Sequence, residues 1–284
     1  MDPVLDCIAY AKAHDLQRRD ATDLIEEFAK EISKMGGKCV DIGAGPGDVT
    51  ADLVLPRLKK DAVIVGVDKS KTIVEFASKR YHEEGRLSFF ELDIETLNLP
   101  NELIEGFDNA VSFYCLHWCQ EIRVALGNIY KLLRPGGKCL IILLSHQSGF
   151  EAFEELYKDP RYQPYMKDVR KCMPVFQKAS NPREKLRAIL TEIGFEVLHC
   201  SNRERTFVFQ SPEILKKHAD AVNPFLERLP AELKEDFRTD LLREVTKRKI
   251  VITNGNNEND YSILDRYHAL VAYFGKPRSS NDRT

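Results

Sequence analysis

Lys38-Cys39-Val40-Asp41-Ile42-Gly43-Ala44-Gly45-Pro46-Gly47-Asp48-Val49-Thr50 is a short apolar run that ends in a carboxylate and opens into three alternating glycines ahead of a helical pattern. Glycine has no Cβ and tolerates positive φ, so such a turn lets backbone approach a ligand closely. A second apolar run, Ala62-Val63-Ile64-Val65-Gly66-Val67, ends at Asp68. That acid lies about twenty residues past the glycines, where a parallel sheet aims a carboxylate at a ribose. An ordinary packing turn would account for the glycines alone. The strand before them and the acid after them favour a ligand site.

The spacing narrows the ligand. Gly43, Gly45 and Gly47 are two residues apart, whereas the dinucleotide fingerprint is G-x-G-x-x-G. Asp41, just before the turn, would repel a pyrophosphate. It suits a ligand carrying an amino group and positive charge, and S-adenosylmethionine has both an ammonium and a sulfonium.

Working outward, residues 37–145 alternate short apolar runs with helical segments. Strands are predicted at 39–42, 63–67, 87–92, 109–113 and 138–144, with helices at 49–58, 71–80 and 122–133. This alternation predicts an α/β, doubly wound, mostly parallel sheet with right-handed crossovers. The run 138–144 is almost wholly apolar, as a central strand covered on both faces should be. Ahead of this core, residues 1–36 form an arm and a helix, with Leu24, Ile25, Phe28 and Ile32 on one face. On this reading His14 is an exposed arm residue, and Tyr10 and Gln17 point inward if the arm folds over a ligand.

After 145 the rhythm breaks. Residues 146–180 are aromatic and Met-rich and are interrupted by Pro160, Pro164 and Pro174, which predicts short helices laid over the strand ends as a lid. Residues 181–210 return to the core with a helix at 186–193 and strand material at 195–200 and 206–209, or one strand bent near Ser201-Asn202. A second helical insertion spans 211–260. It opens on the N-cap Ser211-Pro212-Glu213, contains a helix at 231–249 and includes a polar turn at 254–260. A last, edge-paired strand falls within 261–275, and the polar tail 276–284 is expected to be mobile.

With 284 residues the chain can bury a substantial core. A formal charge of -2, from 42 basic and 44 acidic residues, removes the broad electrostatic reason to expect nucleic acid. No apolar run reaches the roughly 18 to 20 residues needed to cross a bilayer, and no basic segment with a long apolar run marks a signal peptide. Seven cysteines, an odd count without a C-x-x-C unit, argue against a disulfide scaffold and for a reducing cytoplasm. Cys115, His117 and Cys119 lack a fourth ligand at recognisable spacing, so no metal is expected.

Four segments carry a resemblance over almost the whole chain: Leu16-Gln17-Arg18-Arg19-Asp20, Val40 to Gly47, Ser112-Phe113-Tyr114-Cys115-Leu116-His117-Trp118, and Ala221-Val222-Asn223-Pro224-Phe225. With them the chain resembles class I S-adenosylmethionine-dependent methyltransferases, and more closely the insect juvenile hormone acid O-methyltransferases. The glycine segment belongs to the whole superfamily; the Phe-Tyr-x-Leu-His-Trp and Asn-Pro-Phe segments are narrower. Many relatives have Gly-Cys-Gly where this chain has Gly43-Ala44-Gly45, a small-residue change that leaves cofactor binding intact. The resemblance implies a Rossmann-like sheet of seven strands, the last antiparallel, under an α-helical lid. It also implies methylation of the carboxylate of farnesoic acid or juvenile hormone acid.

On that resemblance Asp41, Gly43, Gly45 and Gly47 face the methionyl end of the cofactor, and Asp68 takes the ribose hydroxyls. Lys69 and Ser70 flank the adenine, which Asp93 and the Ile94 backbone bind, while Ser112 closes the side near the sulfonium. Gln17 and Trp118 hold the substrate carboxylate as the catalytic pair. His117 either shapes that site or anchors its loop through a backbone hydrogen bond. A carboxylic acid is already ionised at neutral pH, so no catalytic base is required. Neutral donors suit a charge that disappears on transfer, and few Arg or Lys lie near 112–119. Other readings are a methyltransferase for another small carboxylic acid, such as a medium-chain fatty acid, and a non-catalytic isoprenoid-binding protein. A homodimer is left open.

Overall fold

The computed structural model describes residues 13–253 and 261–278. Tyr10, Cys7, the 254–260 turn and the tail from 279 onward lie outside the described residues. The apolar runs pair as β1 (Lys38–Ile42), β2 (Val63–Asp68), β3 (Leu87–Glu91), β4 (Phe107–Phe113) and β5 (Leu133–Gln147), all mutually parallel. With β6 (Glu196–Phe209) and β8 (Tyr261–Gly275) the order is β3-β2-β1-β4-β5-β8-β6. Only β8 opposes its two neighbours along this path. A short β7 (Ile250–Thr253) pairs with β8 as an eighth strand.

Alternation decides which face each residue serves. Leu140, Ile142 and Leu144 of β5 enter one core, with Ile64 and Val111. Cys139, Ile141 and Leu143 enter the other, with Val40, Ile42, Val65 and Val67. Both faces are covered, as the uninterrupted apolar run required.

The described helices are α1 (Asp15–Glu27), α2 (Ala29–Ile32), α3 (Lys71–Arg80), α4 (Ile122–Leu132), α5 (Gly149–Leu156), α6 (Pro182–Ile193), α7 (Pro212–Ala221) and α8 (Ala231–Thr246). Their ends follow local chemistry. The Ser70 hydroxyl accepts from the Ile73 N–H at 3.4 Å to start α3, and Ser211 accepts from Ile214 at 3.3 Å to start α7. Gly194, at φ 110°, stops α6 in the left-handed conformation. None of the described helices is long and apolar enough to cross a membrane.

Several boundaries differ from the sequence reading. The last strand is interior: Ala269, Leu270, Val271, Ala272 and Phe274 are all buried, whereas β6 alternates exposed and half-buried positions and takes the edge. Charges such as Glu196, Arg203 and Glu204 protect that edge from further pairing. β6 is one strand whose irregularity falls between Val197 and His199, not at Ser201-Asn202. β5 begins at Leu133, because the segment expected only to stop α4 also pairs with Phe107. The helix after the glycines is a π-helical turn, Val49–Val54, followed by a 3-10 turn, Leu55–Arg57. α8 stops at Thr246 because Ile250–Thr253 pairs with β8.

Candidate active site

The parallel register sets Asp41 of β1 opposite Gly66 of β2 and Asp68 opposite Glu91, so the acids gather at one end of the sheet. Above them the glycine turn doubles back. Gly43 and Ala44 both donate to the Val67 carbonyl, at 2.8 and 3.0 Å, and Gly45 N–H donates to Asp68 Oδ2 at 3.3 Å. Gly43 and Gly45 have φ of 71° and 56°, the region where glycine is unstrained. At Gly43 an added Cβ would lie 2.2 Å from the Cys115 sulfur, whereas at Gly45 it would meet nothing within 4 Å. One glycine is thus required for packing. The other borders open space.

Asp41 is 2% exposed and accepts from the Thr50 hydroxyl at 2.6 Å through Oδ2. Its Oδ1 has no hydrogen-bond partner among the described residues. Burial, with smaller contributions from Asp68 and Asp48, pushes its pKa up to about 7 against the pull of Thr50. A buried carboxylate oxygen without a donor, beside an open cradle, fits a ligand that brings an ammonium. Asp68 has both oxygens engaged, by Gly45 and by Ser70 N–H at 2.9 Å, and burial raises its pKa. Each oxygen keeps a second lone pair for a ribose hydroxyl.

The rim and floor are set differently. Lys69 is exposed beside Asp68. Asp93 is exposed and accepts from Glu95 N–H at 2.9 Å, and Ile94 is buried with its carbonyl taken by Asn128 at 2.9 Å. Ser112 is fully buried and donates to the Ile42 carbonyl at 2.8 Å, bracing the end of β4 against β1.

α1 closes the near side. His14 is buried, not exposed: it bonds Asp48 at 2.9 Å, and Arg18 donates to the same carboxylate at 2.5 Å and to Asp52 at 3.0 Å. One helical turn on, Asp20 is 1% exposed and receives four side chains. Tyr114 donates to it at 2.5 Å, Tyr267 and Arg19 at 2.7 Å, and Arg205 at 2.8 Å. Burial alone would raise this carboxyl, but the four donors outweigh it and hold the pKa below its ordinary value. Tyr114 itself has φ 57°, a costly conformation for a bulky residue. Its hydroxyl bond to Asp20 and its N–H bond to Ile142 at 2.9 Å hold it there.

That strained turn leads into His117 and Trp118. Trp118 is half-buried, with its ring 4.9 Å from His117 and 5.6 Å from Phe150. Among the described residues its indole N–H makes no hydrogen bond. Burial pushes His117 down to about 3, so the ring is neutral, and its Nδ1 has no partner among the described residues. The anchoring bond is the backbone's: Val175 N–H donates to the His117 carbonyl at 3.0 Å. Gln17 shares a face of α1 with Asp20 and has a buried Oε1 without a partner among the described residues. The Asp20–Tyr114 bond therefore ties the helix bearing Gln17 to the loop bearing Trp118. Beyond Trp118, helices α5, α7 and α8 leave a small void of about 40 Å³. Phe150, Phe153, Leu215, Val222, Leu241 and Val245 line it.

Residues 40–139 match the Methyltransferase domain family. Juvenile hormone acid O-methyltransferase of Drosophila melanogaster is 36% identical over 271 residues, covering 94% of this chain and 91% of its own. The chain belongs to the juvenile hormone acid O-methyltransferase family. The Bombyx mori relative of that name is 32% identical, covering 94% of this chain and 96% of its own. In fold, this family member resembles the solved YcgJ protein of Bacillus subtilis, with a TM-score of 0.58 at 18% identity, covering 92% of this chain and all of that one.

It is an enzyme of the methyltransferase class. Among its described residues no group of three or more His, Cys, Asp or Glu could hold a metal ion. Sequence reading of this methyltransferase missed Thr50 under Asp41, Asp48 as the latch for His14 and Arg18, and Asp20 as a hub. Asp20 stood in a quoted segment, but its partners Tyr114, Arg205 and Tyr267 lie 94, 185 and 247 residues away.

Proposed function

We propose that this methyltransferase esterifies the carboxylate of an extended isoprenoid acid, farnesoic acid or juvenile hormone acid, using S-adenosylmethionine as methyl donor. The observation that carries this reading is a set of uncharged polar groups beside the apolar faces of α5, α7 and α8: the Trp118 indole, the Gln17 amide and a neutral His117.

When bound, S-adenosylmethionine supplies a methyl group on a positively charged sulfur. Asp41 faces its ammonium, Asp68 its ribose hydroxyls, and Lys69, Asp93 and Ile94 border the adenine; Ser112 braces the strand end beneath. Gln17 and Trp118 donate amide and indole N–H groups to the substrate carboxylate. Being neutral, they orient the attacking oxygen without strongly stabilising a charge that vanishes in the product. The lid helices keep water from the reacting oxygen, and fixed in-line placement supplies the acceleration. No proton needs to be removed, because the acid is ionised at neutral pH. The apolar side chains of α5, α7 and α8 part to take the chain, each buried CH₂ contributing roughly 0.8 kcal/mol.

The test is incubation of the purified enzyme with S-adenosylmethionine and farnesoic acid. Methyl farnesoate is the expected product. Absence of that ester, together with turnover of a medium-chain fatty acid, overturns the substrate assignment.

A further inference from the structure

The loop that carries Trp118 pivots on a residue with a costly backbone. Two non-glycine residues among the described ones have positive φ, Glu105 at 51° and Tyr114 at 57°. Glu105 is exposed in a surface turn, whereas Tyr114 is 5% exposed just past β4. A bulky residue persists in this conformation only where its surroundings over-determine it. Two bonds do so here: its N–H donates to the Ile142 carbonyl at 2.9 Å, and its hydroxyl donates to Asp20 at 2.5 Å. The second ends on a carboxylate that its donors keep ionised. Such charge-assisted bonds are the strong class, comparable in size with the strain this one opposes. The reversal at Tyr114 packs Cys115 against Gly43 and starts the Leu116–Trp118 turn. The Tyr114 ring lies edge-on to His117 at 6.0 Å, and the His117 ring lies 4.9 Å from Trp118.

We propose that the Asp20–Tyr114 bond is a positioning device for methyl transfer, holding the left-handed turn so that the Trp118 indole keeps its place relative to Gln17. Asp20 and Tyr114 are positioning residues, acting through those two donors. The device rests on the assignment of Gln17 and Trp118 to the substrate carboxylate. Tyr267 supplies an internal comparison: it donates to the same Asp20 oxygen at 2.7 Å, but from β8, away from the Trp118 loop.

The experiment compares Tyr114→Phe with Tyr267→Phe. Each removes one hydroxyl from Asp20 and leaves Arg19 and Arg205 on it. Trp118 is the chain's one tryptophan, so its fluorescence reports the loop directly. Tyr114→Phe is expected to shift the Trp118 emission and speed its quenching by acrylamide. It is also expected to lower kcat with farnesoic acid by about 10- to 100-fold, the effect of a displacement of about 1 Å, with S-adenosylhomocysteine affinity unchanged. Tyr267→Phe is expected to lose stability in urea but to keep wild-type emission and kcat. Asp20→Asn, which keeps an acceptor oxygen but weakens the bond, is expected to move emission and kcat the same way by less, and it decides the matter if Tyr114→Phe does not fold. Wild-type emission and kcat in Tyr114→Phe, or in Asp20→Asn where only that variant folds, overturn the proposal. Equal losses in the two tyrosine variants also overturn it, because they mark a merely structural hub. Failure of the underlying function looks different: wild-type enzyme then makes no ester from farnesoic acid, while the fluorescence comparison still reads the turn.

Discussion

Acidification should loosen the cofactor through one carboxyl group, Asp41. Burial raises its pKa to about 7 from the ordinary 3.8, and among the described residues its one side-chain bond is from the Thr50 hydroxyl to Oδ2. If the cofactor ammonium pairs with Oδ1, binding needs the ionised form. Near pH 5 about one Asp41 in a hundred is ionised and at pH 7 about half, so affinity should rise by about fiftyfold over that interval. This window lies below the titration of the ligand's own amino group, about 8. Isothermal titration with S-adenosylhomocysteine, in buffers of differing ionisation enthalpy, reads both affinity and protons. At pH 6 nearly one proton should leave the protein on binding.

The ligand-free enzyme gives the complementary sign. Folded protein holds the Asp41 proton more tightly than the unfolded chain, so this group's contribution to stability falls as pH climbs from about 4 to about 7. The loss is up to about 4 kcal/mol. Asp41→Asn should flatten both curves. Affinity independent of pH in the wild type, or an unchanged slope in Asp41→Asn, would refute the pairing.

Trp118→Phe and Gln17→Ala should each lower kcat/KM for the acid by about 10- to 100-fold, the loss of one hydrogen bond to a charged group, while calorimetry shows unchanged cofactor affinity. Asp20→Ala should destabilise the enzyme by about 2–4 kcal/mol, because the buried Tyr114 and Tyr267 hydroxyls lose their acceptor; urea denaturation measures it, and a loss under 1 kcal/mol would contradict the hub. Gly43→Ala, with its Cβ 2.2 Å from the Cys115 sulfur, should reduce thermal stability more than Gly45→Ala, where nothing lies within 4 Å. Gly45→Ala should instead weaken S-adenosylhomocysteine binding with a stability loss of only about 1 kcal/mol.

Period and punctuation made the first half of the sheet legible. Apolar runs too short for helices, closed by Asp41 and Asp68, mark strands and their ends together, and the glycine spacing departs from the dinucleotide fingerprint. Local signals also marked the Ser211 cap and the Gly194 stop. What stayed hidden is long-range. His14 looks like any polar arm residue until Asp48, 34 positions later, folds beneath it. The strand order past β5 was equally invisible, because an apolar β8 and an alternating β6 announce burial but not which of them is the neighbour of β5. Apolar residues of the insertions, such as Phe150, read equally as ligand contacts or as packing within the insertions, because both uses call for the same side chains.

The interior seat of β8 has a consequence for how the molecule is made. β6 joins the sheet only through residues 261–275, so during synthesis it waits without a strand partner while the ribosome completes the lid. Tyr267, one of the four donors to Asp20, arrives on the same late segment. The amino-terminal helix thus gains its full anchorage only once the carboxyl-terminal strand has threaded home, and nascent chains stopped before residue 261 should leave both protease-sensitive.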